Sequence, residues 1–147
     1  MQAPSDATAS GGAGVEVAAG HNSQAAPPAS GQAALTFSVP VPGTYKVWGR
    51  VGAPTNADDS FWVRMDAGAW VNWNNITPGA AWHWDDVHDA ANGNVAMTYT
   101  LAAGTHTLTF AYREDGTRLD RVLITNVLSF TPMGPGPADP TPTPTPT

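Results

Sequence analysis

The sequence predicts an all-β protein, an antiparallel β-sandwich, and three observations lead to this prediction. Segments in which apolar and polar residues alternate recur along the chain. Turn signals rich in Gly, Pro, Asn and Asp separate these segments. No stretch keeps an apolar period of about 3.6 residues, so helix is expected to be nearly absent. At 147 residues the chain has the length of one domain with a single core.

The expected strands follow the alternating segments in chain order, beginning near Val15. The segment LTFSVPVPGTYKVWGRVGAP alternates on both sides of a turn at Pro42 and Gly43, which predicts two half-buried strands joined by a tight connection. The same pattern returns in SFWVRMDAG, NVAMTYTL, GTHTLTFAYR and LDRVLITNVLSF. Residues 70 to 84, bordered by Asn, Pro and Gly, are interpreted as a turn-rich region.

The two ends of the chain differ in composition from its middle. Residues 1 to 14 are small or polar and are expected to form a flexible lead-in to a module at residues 15 to 132. From residue 133 the sequence reads MGPGPADPTPTPTPT, in which alternating Pro favours an extended linker. Thr-Pro tracts commonly join the modules of secreted polysaccharide-degrading enzymes. The chain is therefore expected to continue past residue 147 in a secreted protein.

Charge and composition exclude several classes of partner. The net charge is -6 with only six Lys and Arg, whereas nucleic acids and anionic membranes require clustered positive charge. No apolar run approaches the roughly 20 residues of a membrane-spanning helix, and residues 1 to 14 lack the pattern of a signal peptide. The absence of Cys excludes disulfides and thiolate metal sites. A monomer that binds a neutral or weakly charged partner is expected.

The residues offer little for catalysis. Glycoside hydrolysis needs two carboxylates set across a bond. The chain has two glutamates, Glu16 and Glu114, and aspartates such as Asp66 and Asp115 lie in turn-like contexts that favour a structural role. Neither a nucleophile elbow nor a Gly-rich phosphate loop is present. An enzyme is therefore disfavoured.

The stretch AWHWDDVHD, residues 81 to 89, raises the question of a metal site. His83 and His88 are interleaved with three aspartates, which supplies imidazole and carboxylate ligands but no recognised zinc spacing. A loop of hydrogen-bonded polar residues is the favoured interpretation over zinc.

Six tryptophans are a high number for this chain length. Trp48 and Trp62 lie in alternating strands and are expected to pack in the core. The other four, Trp70, Trp73, Trp82 and Trp84, are too many for a core alone. An exposed indole ring beside Asp, Asn and Arg suits a sugar, because the ring contacts the C–H face while the polar groups bind hydroxyls.

The segment PGAAWHWDDVHDAANGNVAMTYTLAAGTHTLTFAYREDGTRLDRVLIT, residues 78 to 125, resembles the C-terminal half of carbohydrate-binding modules of families 6 and 35. Their pattern runs Trp-x-Trp or Gly-x-Trp-x-x-Trp, a strand, Ala-Gly-x-His-x-Leu, then Leu-Asp followed by an aromatic or basic residue. VPGTYKVWGRVGAP matches their upstream segment, and with DDSFWVRMDAG the resemblance covers residues 15 to 130. The resemblance implies a jelly-roll sandwich that binds a polysaccharide or oligosaccharide, beside a catalytic module in the same natural chain.

The resemblance also implies roles for individual residues. It makes Trp82 the ring that stacks on sugar and Trp84 a second, buried tryptophan. Arg118 stands where these families place an Asn that binds sugar; the alternative is an ion pair of Arg118 with Glu114 or Asp115. The loop from residue 20 to 31 lacks an aromatic residue, so a tryptophan of residues 70 to 73 is expected to serve instead, and Asp85 and Asp86 are expected at the edge of the platform. The candidate ligand-binding residues are Trp82, Arg118, Trp70, Trp73, Asp85 and Glu114.

A structural calcium ion is the cofactor that the resemblance implies. Its ligands are expected to be Asp120, in LDRVLIT, and Glu16 of the first strand. Many family members carry two alternating glutamates in that strand, whereas VEVAAG has one. Because calcium prefers about six to eight oxygen ligands, main-chain carbonyls or water have to replace the missing carboxylate.

These observations favour a non-catalytic carbohydrate-binding module that targets a secreted enzyme to its glycan. Two other classes stay open at this point: a structural or adhesive sandwich that spaces domains on a surface protein, in which all tryptophans pack, and a small glycan-active enzyme.

Overall fold

The chain folds as two antiparallel β-sheets in a computed structural model that describes residue 1 and residues 14 to 137. The expectations for a lead-in at residues 2 to 13 and for a linker at residues 138 to 147 lie outside the described residues. The strands are β1 Val15–Glu16, β2 Gln32–Val39, β3 Gly43–Ala53, β4 Phe61–Met65, β5 Val71–Trp73, β6 Gly79–Asp86, β7 His88–Asp89, β8 Val95–Ala96, β9 Thr98–Leu101, β10 Gly104–Tyr112 and β11 Arg118–Thr125. A short 3-10 helix spans Ala90–Asn92.

The first sheet has the strand order β1-β11-β3-β6, with β9 also paired to β3. The second sheet has the order β2-β10-β4-β5, and β7 pairs with β8 in a small ribbon. Every strand pair is antiparallel. The predicted antiparallel β-sandwich is therefore confirmed. Within the described part of the chain, no helix is long and apolar enough to cross a membrane.

Alternation along β3 separates the core from the outer surface of the first sheet. Val47, Val51 and Ala53 are fully buried, whereas Trp48 and Arg50, on the opposite side of the strand, are partly exposed. Gly49 lies on the buried side, where a Cβ atom would come within 2.6 Å of the Trp73 ring. A larger residue at this position would displace a ring of the core.

Aromatic rings from the second sheet fill the centre of the sandwich. Phe61 packs against Trp73 and Phe110 at centroid distances of 6.0 and 6.1 Å. Trp73 and Phe110 are 6.3 Å apart. These separations suit tilted and edge-to-face aromatic packing, which adds to the free energy of burying the rings.

Three elements differ from the sequence-based expectation. Within residues 70 to 84, interpreted as a turn-rich region, Val71–Trp73 form strand β5, which pairs with β4, and the residues from 79 onward form most of the eight-residue strand β6, which pairs with β3. Strand β11 ends at Thr125, although the alternating pattern continues to Phe130. Strand pairing explains these differences, because it holds β5 and β6 extended, while the register of β11 with β3 ends where Thr125 faces Lys46.

Candidate functional site

The outer surface of the first sheet carries a cluster that we call the tryptophan–arginine face. It consists of Trp48, Arg50, Trp82, Trp84, Arg118 and Arg121. Strand register brings these side chains together: Arg50 of β3 lies opposite Trp84 of β6 and opposite Arg121 of β11. The chain has only six Lys and Arg in all, and half of them are in this face. Lys46 lies at its edge, with its ammonium nitrogen 4.4 Å from the centre of the Trp48 ring.

Trp82, in β6, lies beside Arg118 on this face. The guanidinium carbon of Arg118 is 4.5 Å from the centre of the Trp82 ring, and that of Arg50 is 5.9 Å away. Both are cation–π distances. Gly14 packs against the edge of the ring, where a Cβ atom would be 2.9 Å away. The ring is partly exposed, and the structure brings together Trp82 and Arg118, two of the residues singled out from the sequence.

Arg118 makes a contact that the sequence did not indicate. Besides stacking on Trp82, its guanidinium donates a hydrogen bond to the main-chain carbonyl of Ala80, at the start of β6. Glu114, one of the two residues considered as an ion-pair partner of Arg118, is instead buried and accepts a hydrogen bond from the Ser60 hydroxyl. Arg118 thus connects β11 to β6 beside the Trp82 ring.

Trp84 is not the buried ring that the sequence suggested. It is partly exposed on the tryptophan–arginine face, and its indole N–H donates to the carbonyl of Gly134 at 2.9 Å. Trp48, expected in the core, also lies on this outer surface. Trp62 is buried, as expected, and its indole N–H donates to the Ser23 carbonyl.

Trp73 was a candidate for ligand binding, and the structure contradicts this role. The ring is fully buried in the core, and its indole N–H points to Asp85 at 3.5 Å. A residue with no exposed surface cannot stack on a ligand. The reason is that β5, the edge strand of the second sheet, pairs with β4 in a register that sets Trp73 opposite Phe61, and both rings are buried in the core.

Trp70 is partly exposed but lies away from Trp82. It precedes β5 at the edge of the second sheet, where the guanidinium of Arg64 stacks 4.6 Å from its ring centre. There it borders a separate cleft of about 510 Å³, between the β4–β5 turn and β9. The structure therefore places Trp70 beside the second sheet and Trp82 in the first, and no shared cleft brings the two rings together among the described residues.

Asp85, another candidate ligand-binding residue, is buried in a network with His88. Asp85 accepts a hydrogen bond from the Thr77 amide at 2.9 Å and lies 3.3 Å from Nδ1 of His88. Nδ1 is also 3.3 Å from the Asp86 carboxylate, and Nε2 is 2.6 Å from the carbonyl of Asn74. Both ring nitrogens thus face acceptors, so His88 donates from both as an imidazolium. The Asp85 carboxylate is therefore part of a buried hydrogen-bond network and is not exposed to a ligand.

The pKa values of this network agree with its geometry. Burial by itself lowers the pKa of His88, but hydrogen bonds to Asp85, Asp86 and the Asn74 carbonyl outweigh burial and raise it to about 10. The hydrogen bond from His88 lowers the pKa of Asp86, which also pairs with Lys46 at 3.0 Å. The network is therefore a buried ion pair at neutral pH.

Asp85, Asp86 and His88 are also a group that could hold a metal ion, since one ligand atom of each lies within 4.8 Å of the others. A metal at this position would need a neutral His88 with a free ring nitrogen. Both nitrogens are engaged with carboxylate and carbonyl oxygens. The contacts thus favour a proton over a metal ion at this group.

The expected calcium ligands, Glu16 and Asp120, fit a calcium ion poorly. The Asp120 side chain is fully buried and pairs with the Arg50 guanidinium at 2.5 Å. Glu16 lies in β1, opposite Arg118 in the strand register. A guanidinium beside Asp120 supplies the positive charge that calcium would bring, and it repels a second cation. Arg50 was not considered from the sequence, and only the pairing of β3 with β11 reveals it.

Glu114, the last of the candidate ligand-binding residues, is buried and held by other partners. It accepts hydrogen bonds from the Ser60 hydroxyl at 2.6 Å and the Asp59 amide at 3.2 Å. Arg113 lies 3.6 Å from the same carboxylate. Burial, then the hydrogen bond and the charge of Glu114, raise the pKa of Asp59 to about 7. Both carboxyl groups are buried, so neither lies on the surface where a ligand could contact it.

Asp59 makes stability depend on pH. A folded-state pKa raised above the ordinary 3.8 means that the protonated form stabilises the fold; this contribution is complete below about pH 4 and is lost as the pH rises through 7. Asp59→Asn, which keeps a donor toward Glu114, should therefore melt higher than the unaltered chain at pH 8 and nearly equally at pH 4. Thermal melts across this range measure the difference. Asp58→Asn is the control, and an Asp59→Asn curve parallel to that of the unaltered chain would contradict the assignment.

Comparison with known proteins adds information on the fold. No protein-family model matches the chain, and no curated protein matches it. Among solved structures, a family 35 carbohydrate-binding module from Clostridium thermocellum has 21% sequence identity and a TM-score of 0.55, with 84% of this chain and 85% of that chain covered. An exo-β-1,3-galactanase from Phanerochaete chrysosporium, solved with galactose, has 16% identity and a TM-score of 0.57. The match covers 84% of this chain but only 26% of the galactanase.

At these identities the similarity concerns the fold. The chain shares its two-sheet antiparallel sandwich with the family 35 module over most of the length of both chains. The resemblance to family 35 modules that the sequence motifs suggest thus extends to the three-dimensional structure.

Proposed function

We propose that the chain binds a polysaccharide or oligosaccharide on the tryptophan–arginine face. The observation that carries this proposal is the presence of three partly exposed tryptophans and three arginines on one sheet surface of a chain that is poor in cations. Core packing does not require these side chains, because the core is filled by other residues. The shared fold with a family 35 carbohydrate-binding module is consistent with the proposal.

The chemistry of the face suits a sugar. Indole rings offer flat apolar surfaces that can contact the C–H face of a pyranose. Arg50 and Arg118 place guanidinium donors within 6 Å of the Trp82 ring centre, where they can hydrogen-bond to hydroxyl oxygens. Arg121 extends this donor set along β11. A saccharide that stacks on one ring would find hydrogen-bond donors beside it.

The proposal also covers the protein to which this chain would belong. We infer a non-catalytic module in a secreted protein that targets a catalytic module of the same natural chain to its glycan, and that acts as a monomer. The Thr-Pro repeats from residue 140 onward support a modular chain. Asp59, whose pKa is raised to about 7, and its neighbour Glu114 are both buried, which disfavours hydrolysis at that place.

Replacement of Trp82 by Ala tests the proposal. Loss of one stacking ring should remove about 1–3 kcal/mol of binding free energy, the range known for aromatic stacking on nucleic-acid bases, and weaken saccharide affinity on the order of tenfold. A glycan array with the unaltered chain first identifies a ligand, and isothermal titration calorimetry then compares the variants.

Trp70→Ala is the matched control, because Trp70 is also partly exposed and also stacked by an arginine, but lies at the edge of the other sheet. Its affinity should equal that of the unaltered chain. A loss of binding in Trp70→Ala together with unchanged binding in Trp82→Ala would place the site in the cleft at Trp70. Absence of binding to every glycan on the array would contradict the proposal and favour a spacer domain.

Calcium is tested separately. Since Arg50 already neutralises Asp120, addition of a chelator should leave the melting temperature of the chain unchanged. A chelator-dependent decrease, with calcium found by elemental analysis, would instead support the calcium ion that the family resemblance implies. Asp120→Ala does not distinguish these cases, because it leaves the Arg50 guanidinium without its carboxylate in either one.

A further inference from the structure

The C-terminal segment, residues 133 to 137, lies on the tryptophan–arginine face. After β11 ends at Thr125, the chain turns back over the outer surface of the first sheet. Met133 and Gly136 close a turn, in which the Gly136 amide donates to the Met133 carbonyl at 2.9 Å. Gly136 lies so close to Trp84 that a Cβ atom would be 2.6 Å from the ring. The segment thus covers one of the rings proposed to bind sugar.

Three hydrogen bonds hold this turn to the face. The Gly134 carbonyl accepts from the Trp84 indole N–H at 2.9 Å and from Nε of Arg50 at 3.2 Å. The Pro135 carbonyl accepts from the Arg121 guanidinium at 2.6 Å. All three side chains act as donors, and both acceptors are main-chain oxygens. The turn therefore occupies donors that would otherwise serve the hydroxyl or ring oxygens of a saccharide.

Glycine is required at the contact with Trp84. Gly136 has φ +84°, a conformation that residues with a side chain rarely adopt, and its missing Cβ leaves the space that the indole ring occupies. Gly134, with φ +56°, shapes the other side of the same turn. The Gly-Pro-Gly sequence of the segment thus matches the surface that it covers, whereas a generic linker needs no such fit.

We propose that Arg50, Trp84 and Arg121 form a docking site for the chain's own Gly-Pro-Gly turn, and that the docked turn and a saccharide compete for the tryptophan–arginine face. The docking rests on the contacts above, and the competition rests on the proposed function. Saccharide binding then requires release of the turn, which lowers the apparent affinity by the fraction of molecules in which the turn is released. Docking of the turn and binding of the glycan thereby weaken each other, because both use the same surface.

A single substitution in the full chain tests the docking. Gly136→Ala introduces the Cβ that meets Trp84 and should release the turn without altering the core. Met133→Ala is the control, because the Met133 side chain is 82% exposed. Hydrogen exchange of the Trp84 indole N–H, followed by NMR without any saccharide, should be faster in Gly136→Ala than in the control. Equal exchange in both variants would overturn the docking.

The competition is tested with the glycan selected by the array. Gly136→Ala should bind it at least about threefold more tightly than Met133→Ala. A synthetic peptide MGPGPAD, added in trans at millimolar concentration, should weaken binding to Gly136→Ala and slow the exchange of its Trp84 indole N–H. Equal affinities of the two variants, with faster exchange in Gly136→Ala, would overturn the competition. If no glycan binds either variant, the proposed function and the competition both fail, while the exchange rates still decide the docking.

Discussion

Trp73→Ala is expected to reduce the free energy of unfolding by about 3–5 kcal/mol, because it opens a cavity in the aromatic centre of the core. Trp73 has no exposed surface and packs against Phe61 and Phe110. The substitution also removes the indole donor that faces Asp85. Chemical denaturation monitored by circular dichroism measures the loss. For a domain of this size, such a loss is a large part of the total stability.

Trp82→Ala is the matched control for this effect. The Trp82 ring lies on the outer surface, so Trp82→Ala should lower the free energy of unfolding only slightly. The same substitution should weaken saccharide binding. Trp73→Ala that retains its fold should bind the saccharide with unchanged affinity. Unfolding free energies that are equal for Trp73→Ala and the unaltered chain would contradict the place of Trp73 in the core, and with it the pairing of β5 with β4.

His88→Ala is expected to destabilise the fold by about 3–5 kcal/mol at pH 6, because it leaves the Asp85 carboxylate buried without its charged partner. His83→Ala is the control. His83 is partly exposed and contacts only the carbonyls of Ala81 and Thr77 among the described hydrogen bonds, so its removal should cost about 1 kcal/mol.

The effect of His88 should depend on pH. Its folded-state pKa of about 10 exceeds the ordinary 6.5, so its stabilising contribution is complete below pH 6.5 and is lost as the pH rises through 10. The difference in melting temperature between the unaltered chain and His88→Ala should therefore shrink between pH 7 and 10. A difference that stays constant over this range would show that His88 is neutral in the folded protein.

Much of the fold was predictable from the sequence, since alternation and turn chemistry are local signals. The pattern around Pro42 and Gly43 predicted β2 and β3, and GTHTLTFAYR predicted β10. Strand β6 was missed because five of its eight residues are Gly, Ala or Asp, which are depleted in strands. The period-two separation of Trp82, Trp84 and Asp86 on one side of the strand was a signal that could have revealed it.

The candidate site was predictable only in part, because it depends on pairings between distant strands. Trp82 and Arg118 were identified from the motifs that resemble carbohydrate-binding modules, and the structure places them in contact. The contribution of Arg50 to the face and its ion pair with Asp120 require the pairing of β3 with β11. Local composition also could not distinguish the core residue Trp73 from the outer residue Trp84, since both lie among polar residues.

The contacts of residues 133 to 137 could not be predicted either. Their Pro and Gly content favours an extended linker, and this local preference carries no information about a surface elsewhere in the chain. The turn is held by side chains from β3, β6 and β11, which come together only in the folded sheet.

The central claim is that a saccharide binds to the tryptophan–arginine face, and the six tryptophans provide the most direct measurement. Their indole N–H groups give separate signals in a proton–nitrogen NMR spectrum of the full chain, and each can be assigned by single substitution. On titration with the glycan that the array selects, the signals of Trp48, Trp82 and Trp84 should shift, while those of Trp62, Trp70 and Trp73 stay in place. A shift of the Trp70 signal, with those of Trp82 and Trp84 unchanged, would contradict the claim.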